Sequence, residues 1–139
     1  MELELADTSV WTNRRKDEQV SRAFEARLLG GEVATCAMVK LELLWETQDA
    51  LAFRRRRSRL DVLEDLPIDE RVWQRATDVI QRLSDDGPLH HRRVKIPDLV
   101  IAATAEVAGV ALSHYDRDFE LIAEVTGQPM RAIAPLGSL

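Results

Sequence analysis

The sequence predicts an α/β fold: a single domain with a short, mostly parallel central sheet flanked by helices. Three observations carry that prediction. Apolar runs only a few residues long, the length of short strands, alternate with longer stretches that hold a 3.6-residue apolar period. The 139 residues, 45% hydrophobic and 31% charged, can bury one core and contain no linker or low-complexity tract to divide it. Beyond Asp98 the stretch to Ala108 is apolar on almost every side, broken only by Thr104 and Glu106, as expected of a helix enclosed by other elements. The predicted domain therefore spans residues 1–139.

Taken in order, Leu3-Glu4-Leu5-Ala6 alternates like a short strand, and Asp7-Thr8-Ser9 reads as a strand-to-loop transition rich in side-chain oxygens. Glu18 to Leu29 is predicted as a helix with Val20, Phe24 and Leu28 on one face, stopped by Gly30-Gly31. Val33-Ala34-Thr35 makes a second strand. From Ala37 to Thr47 the pattern is helical again, with Met38, Leu41, Leu44 and Trp45 expected on the buried side and Glu42 just beside that face. Gln48 to Leu63 is expected to be a helix with Leu51, Leu60 and Leu63 as its apolar positions and Arg54 to Arg57 on the wet side. Leu66-Pro67-Ile68 is a brief extended segment. Asp69 caps a helix from about Glu70 to Leu83, where Val72, Ala76, Val79, Ile80 and Leu83 keep the helical period. Asp85-Asp86-Gly87-Pro88 turns the chain, and a polar loop runs from Leu89 to Val94.

The enclosed helix comes next. Ile96, standing before a proline, favours extended geometry, and Pro97 suits the first helical position because its missing N–H would have no partner there. Gly109 supplies a left-handed stop. Val110 to Ser113 reads as a strand, Phe119 to Thr126 as a short helix, and Met130 to Ile133 as a last strand. Asp98 lies in the first turn of the enclosed helix. A carboxylate there is either a helix cap or a functional group held on a rigid element.

Charge and cysteine usage narrow the function classes. A net charge of −5 argues against a protein that coats nucleic acid by bulk charge. The basic residues nevertheless gather in three patches: Arg14-Arg15-Lys16, Arg54 to Arg57 with Arg59, and Arg92-Arg93 with Lys95. For the second patch a solvated helix face, an RNA contact and a partner contact are all open. Cys36 is the only cysteine, which excludes an intrachain disulfide and suits a small packed residue. The first residues lack the basic flank and long apolar core of a secretory signal, and no apolar run reaches membrane-spanning length. The expectation is a cytoplasmic protein with no membrane association. His90 and His91 are expected to be exposed, and Trp11, Trp45 and Trp73 to serve the core or interfaces.

The acids stand out once placed on this plan. Asp7 closes the first strand, Glu42 lies on the helix after the second, Asp98 opens the enclosed helix, and Asp116 and Asp118 follow the strand at Val110. A parallel sheet puts the carboxyl ends of its strands on one edge, so all of them can face a common crevice. Carboxylates sharing a crevice repel one another, and either protons or a cation must neutralise them. Oxygen-only ligands select a hard ion such as Mg²⁺ or Mn²⁺. Such an ion can polarise a phosphate and activate a water for in-line attack.

Asp7-Thr8-Ser9-Val10-Trp11, Leu41-Glu42-Leu43-Leu44, Ile96-Pro97-Asp98-Leu99-Val100-Ile101-Ala102-Ala103 and His114-Tyr115-Asp116-Arg117-Asp118-Phe119 together resemble the PIN-domain ribonucleases, above all the VapC toxins of bacterial toxin–antitoxin pairs. Each block is weak alone, but the ordered set covers essentially the whole chain. The resemblance implies a Mg²⁺- or Mn²⁺-dependent endoribonuclease that cleaves RNA, forms a homodimer and is inhibited by a VapB-type antitoxin. By position, Asp7, Glu42, Asp98 and Asp116 match the family's catalytic and metal-binding acids. Asp118 matches a fifth acid often found there, and Thr8 or Ser9 matches a hydroxyl that supports the first aspartate.

Other classes fit less well. A non-catalytic PIN-like domain that binds RNA or protein is the alternative, but such a domain is expected to have lost some of the acids. A phosphoryl-accepting regulatory domain needs a lysine after a late strand, and Lys16, Lys40 and Lys95 do not stand there. A haloacid-dehalogenase-type phosphatase needs a second aspartate two residues after the first, where this chain has Ser9.

Overall fold

The computed structural model describes residues 2–139 and contains a five-stranded sheet, all parallel, in the order β3-β2-β1-β4-β5. In chain order the elements are β1 (Glu4–Ala6), α1 (Thr8–Asn13), α2 (Glu18–Leu29), β2 (Val33–Cys36), α3 (Ala37–Trp45), α4 (Ala50–Leu60), β3 (Glu64–Leu66), α5 (Glu70–Asp85), α6 (Ile96–Ala108), β4 (Ala111–His114), α7 (Arg117–Thr126) and β5 (Met130–Ala132). β1 is central: Leu5 pairs with Ala34 of β2 on one side and Leu112 of β4 on the other. The chain runs from β1 out to one edge and returns to β4 on β1's opposite side. That reversal opens a crevice beyond the carboxyl ends of β1 and β4, where parallel sheets bind ligands. Among the described residues no helix is long and apolar enough to cross a membrane.

α6 is enclosed, as its composition requires. Every residue from Asp98 to Ala105 is buried, and Gly109 closes the helix at φ 72°. α5 packs on it with the expected stripe, Val72, Ala76, Val79 and Leu83, while Ile80 is only partly covered. One large core joins these residues to Leu5, Leu60, Leu112, Phe119 and Ile122. Glu4 is a buried acid within β1. Arg131 of β5 satisfies it with two hydrogen bonds, at 2.6 and 3.2 Å.

Five local expectations need correction. Asp7-Thr8-Ser9 does not lead into a loop: Asp7 caps α1 by accepting the Ser9 N–H. The helix is only six residues long and contains Thr, Ser and Asn, poor formers that hide its period. In α3 the buried residues are Val39 and Leu43, an i,i+4 pair set by the exit of the chain from β2 through Cys36. Leu41 and Trp45 form a second i,i+4 pair that faces solvent, 64% and 87% exposed, not the core. α4 starts at Ala50 because Asp49 caps it, which leaves Leu51 outside the core and Leu60 inside. The third strand precedes Pro67, which would remove a ladder donor, and comprises Glu64–Leu66. The loop before α6 contains a 3₁₀ turn, His90–Arg93, in which both histidines are partly covered.

Candidate active site

Each acid reaches the crevice by a short backbone path. Asp7 directly follows β1 and is buried. Its Oδ2 accepts the Ser9 N–H at 2.9 Å and the Ser9 hydroxyl at 2.5 Å. The same hydroxyl accepts the Tyr115 N–H at 2.9 Å, which ties the end of β1 to the loop after β4. Ser9, not Thr8, thus supports the first aspartate. The Thr8 hydroxyl donates to Glu42 Oε1 at 2.8 Å and draws the half-buried Glu42 of α3 to the crevice.

Asp116 caps α7, with Oδ1 accepting the Asp118 N–H at 2.9 Å. Its own N–H donates to His114 Nδ1 at 3.3 Å, and burial lowers the histidine's pKa. His114 therefore stays neutral as an acceptor that shapes this loop, and nothing in its contacts gives it a proton-shuttling role. Asp118 sits in the first turn of α7, where its Oδ2 accepts the Lys95 N–H at 3.0 Å.

Asp98 is not a cap. Lys95 holds the cap position of α6 and makes no side-chain capping bond, while Asp98 lies inside the first turn, 5% exposed. Ligand atoms of Asp98, Asp116 and Asp118 all lie within 4.8 Å of one another. Asp7 is close enough for its charge to act on Asp98, and Glu42 acts on Asp7 in turn. The sequence treats Asp118 as an accessory fifth acid. The fold makes it one of the three most tightly grouped.

The electrostatics record that crowding. Burial raises the Asp7 pKa from 3.8 to about 6, with the Glu42 charge adding and the Ser9 hydrogen bonds opposing. Burial also raises Asp98, from 3.8 to about 8, helped by a hydrogen bond to Asp118 and by the charges of Asp7 and Asp116. Asp118 is partly buried too, but the hydrogen bonds from Asp98 and Lys95 outweigh that and lower its pKa. Asp98 thus carries the proton of an Asp98–Asp118 pair.

Lys95 is the site residue that sequence reasoning missed. Its ammonium lies 3.4 Å from Asp98 Oδ2, 3.0 Å from Asp116 Oδ2 and 3.1 Å from Asp118 Oδ2. Partial burial opposes its charge, but the hydrogen bonds to Asp116 and Asp118 and the nearby Asp98 overcome that and raise its pKa. The available signal was the i,i+3 spacing of Lys95 and Asp98, which places both on one helix face.

The donor set fits a hard divalent cation. It consists of carboxylate oxygens; among the described residues Asp7 Oδ1 is buried without a hydrogen-bond partner, and buried Asp98 Oδ2 has only the Lys95 ion pair at 3.4 Å. An orphaned buried carboxylate oxygen is costly unless a cation or proton satisfies it.

Comparison with known proteins agrees with this geometry. The PIN domain family model matches residues 5–125. Ribonuclease VapC18 of Mycobacterium tuberculosis is 38% identical over 133 residues, covering 96% of each chain. Among solved structures, VapBC-5 of M. tuberculosis superposes with a TM-score of 0.62 at 25% identity, covering 97% of this chain and 100% of the other. VapBC-1 of nontypeable Haemophilus influenzae gives a TM-score of 0.73 at 16% identity, with 94% and 98% covered. With the family model matching most of its length and a close VapC relative aligned nearly end to end, this chain belongs to the PIN-domain family, in its VapC branch.

Proposed function

We propose that this protein is a metal-dependent endoribonuclease, the toxin of a type II toxin–antitoxin pair. The observation that carries this reading is the triad Asp98, Asp116 and Asp118, grouped at the sheet's switch point and adjoined by the buried, unpartnered Oδ1 of Asp7. The ribonuclease names of the full-length relatives support it. The alternative, a non-catalytic PIN-like binding domain, is disfavoured because all four expected acids are present and face one crevice.

Asp98, Asp116 and Asp118 would hold Mg²⁺ or Mn²⁺, with Asp7 adjoining them through its free Oδ1. A bound ion of this kind polarises a phosphate and lowers the pKa of a water so that it can act as nucleophile. The protein's own groups do the rest. Ser9 fixes the Asp7 carboxylate, and the Asp116 cap fixes the turn that presents Asp118. Thr8 holds Glu42 by Oε1, leaving Oε2 to accept a proton from an attacking water. Lys95 pairs with the same three acids, so it would have to give them up to a bound cation and would then be free to pair with a phosphate.

The same reading assigns the partners. RNA is the substrate, and the family resemblance implies a homodimer. A VapB-type antitoxin has a docking surface in the apolar residues that the fold leaves exposed: Leu41 and Trp45 on α3, Leu51 and Phe53 on α4. A cavity of about 450 Å³ bordered by Leu41, Trp45, Thr8, Glu42 and Glu46 leads from that surface to the acids. An antitoxin Arg or Lys entering there would pair with Glu42 and approach Asp7, Asp98 and Asp116. The test is overproduction without antitoxin, followed by sequencing of RNA ends. The expected result is a set of discrete new ends that disappear on co-production of the antitoxin; unchanged RNA ends would refute the reading.

A further inference from the structure

About one helical turn from Thr8 and Glu42 lies a cationic cavity that the proposed reaction does not use. It has a volume of about 270 Å³ and is bordered by Arg14, Arg15, Arg56 and Arg59 together with Trp11 and Glu46. Such a concentration of guanidinium groups is notable in a chain of net charge −5. Two of the four are already engaged. Arg56 donates to the Leu43 carbonyl at 2.6 Å and lies 3.5 Å from Glu46, while Arg14 packs over the Trp11 and Phe24 rings. Arg15 and Arg59 are exposed and have no ion-pair partner among the described residues. Arg14 has only a distant acid, Glu25 at 3.8 Å, and its Nε is buried without a hydrogen bond. The cluster also repels itself: burial, then the charges of Arg15 and Arg59, lower the Arg14 pKa. Glu46 is taken up by Arg56, and Arg14, Arg15 and Arg59 share only the distant Glu25, a charge imbalance that favours an anion.

The position of the cavity indicates which anion. Thr8 and Glu42 face the acids, while Trp11, Thr12 and Glu46 border the cavity, each about one helical turn further along α1 or α3. One turn is about 5.4 Å, the scale of a single nucleotide step. A strand whose scissile phosphate lies at the acids therefore has a neighbouring phosphate within reach of the arginines.

We propose that Arg14, Arg15 and Arg59 form a phosphate-binding subsite for the RNA strand, holding the phosphate next to the one cleaved. This rests on the ribonuclease reading and adds a positioning site to it. Guanidinium groups can grip a phosphate bidentately, and two of the three have no competing acid. An acidic segment of the antitoxin is the competing occupant, which the test separates.

The variant is Arg15→Gln/Arg59→Gln, whose side chains make no hydrogen bond or ion pair among the described residues and lie outside the catalytic acids. With Mn²⁺ present, it should raise KM at least tenfold for RNA oligonucleotides that extend through the cavity and leave kcat within about twofold. The salt dependence of kcat/KM should become shallower by about one unit of slope for the lost phosphate contact. A dinucleotide containing only the scissile phosphate should be cleaved equally by both proteins, and Mn²⁺ affinity should be unchanged. Unaltered KM and salt slope on long RNA, with Mn²⁺ binding intact, would overturn the subsite. So would a variant that loses only antitoxin affinity, because the arginines would then serve the partner. If the wild-type protein binds Mn²⁺ but cleaves no RNA, the ribonuclease reading fails instead. Anisotropy of labelled RNA in EDTA then decides the subsite alone, by whether the variant binds RNA more weakly than wild type.

Discussion

Lys95 Nζ stands 3.4 Å from Asp98 Oδ2, three residues further along the same helix face, and it also touches Asp116 and Asp118. The metal-free site is therefore neutralised from within, by one lysine and by the proton on Asp98. Both must be displaced before a divalent cation can occupy the acids.

Lys95→Met removes one of those competitors. The metal-free protein should lose stability, because three carboxylates lose their counter-charge. Mn²⁺ affinity should rise several-fold, because the ion no longer displaces an ammonium. Thermal unfolding with and without Mn²⁺ reads both, and weaker Mn²⁺ binding in this variant would show that Lys95 helps build the metal site.

Asp98→Asn addresses the second competitor. The folded Asp98 pKa of about 8 exceeds its unfolded value of 3.8, so folding favours the protonated form. The associated stability is fully present below about pH 4 and is lost as pH rises through 8. Asparagine mimics the neutral acid, so the metal-free variant should match wild type near pH 4 and exceed it by several kcal/mol at pH 8. Denaturant titrations across that range measure the difference, and a constant offset would remove the electrostatic explanation.

Cation binding must also release the proton that Asp98 carries. Between pH 6 and 7.5, Mn²⁺ binding should release up to about one proton, and its affinity should rise with pH. Isothermal titration in buffers of different ionisation enthalpy gives the proton count directly. Zero release would mean that Asp98 is already ionised.

Much of this was legible in the sequence, for identifiable reasons. α2, α5 and α6 announce themselves by caps, periodicity and the Gly109 stop, and the short strands follow from the alternation, with acids in the segments that follow β1 and β4. The family blocks name the acids, of which Asp7, Asp98, Asp116 and Asp118 sit at or near an element boundary while Glu42 lies inside α3. What the sequence hid depends on rotation and long-range packing. The outward turn of Leu41 and Trp45 is fixed by how β2 delivers α3, and a purely apolar count points the other way. The arginine run does not act as a unit. Arg56 turns in to the Leu43 carbonyl, Arg57 pairs with Asp61, and Arg59 borders the cationic cavity. Only the i,i+3 spacing from Asp98 hinted at Lys95 as a site residue, because the rest of its role depends on Asp116 and Asp118, more than twenty positions away.

The chemistry of the cut makes a separate prediction. If an activated water attacks, not the RNA's own 2′-hydroxyl, the products carry 5′-phosphate and 3′-hydroxyl ends. Mass spectrometry of a cleaved oligonucleotide distinguishes these from a 2′,3′-cyclic phosphate, which would require a different nucleophile.

The most direct test of the central claim is the rate of RNA cleavage by purified protein as Mn²⁺ is titrated, for wild type and Asp98→Asn side by side. The account predicts no cleavage in chelator, saturable activation of wild type, and a loss of at least about 100-fold in the variant despite its intact fold. Full cleavage by Asp98→Asn, or by either protein in chelator, would contradict it.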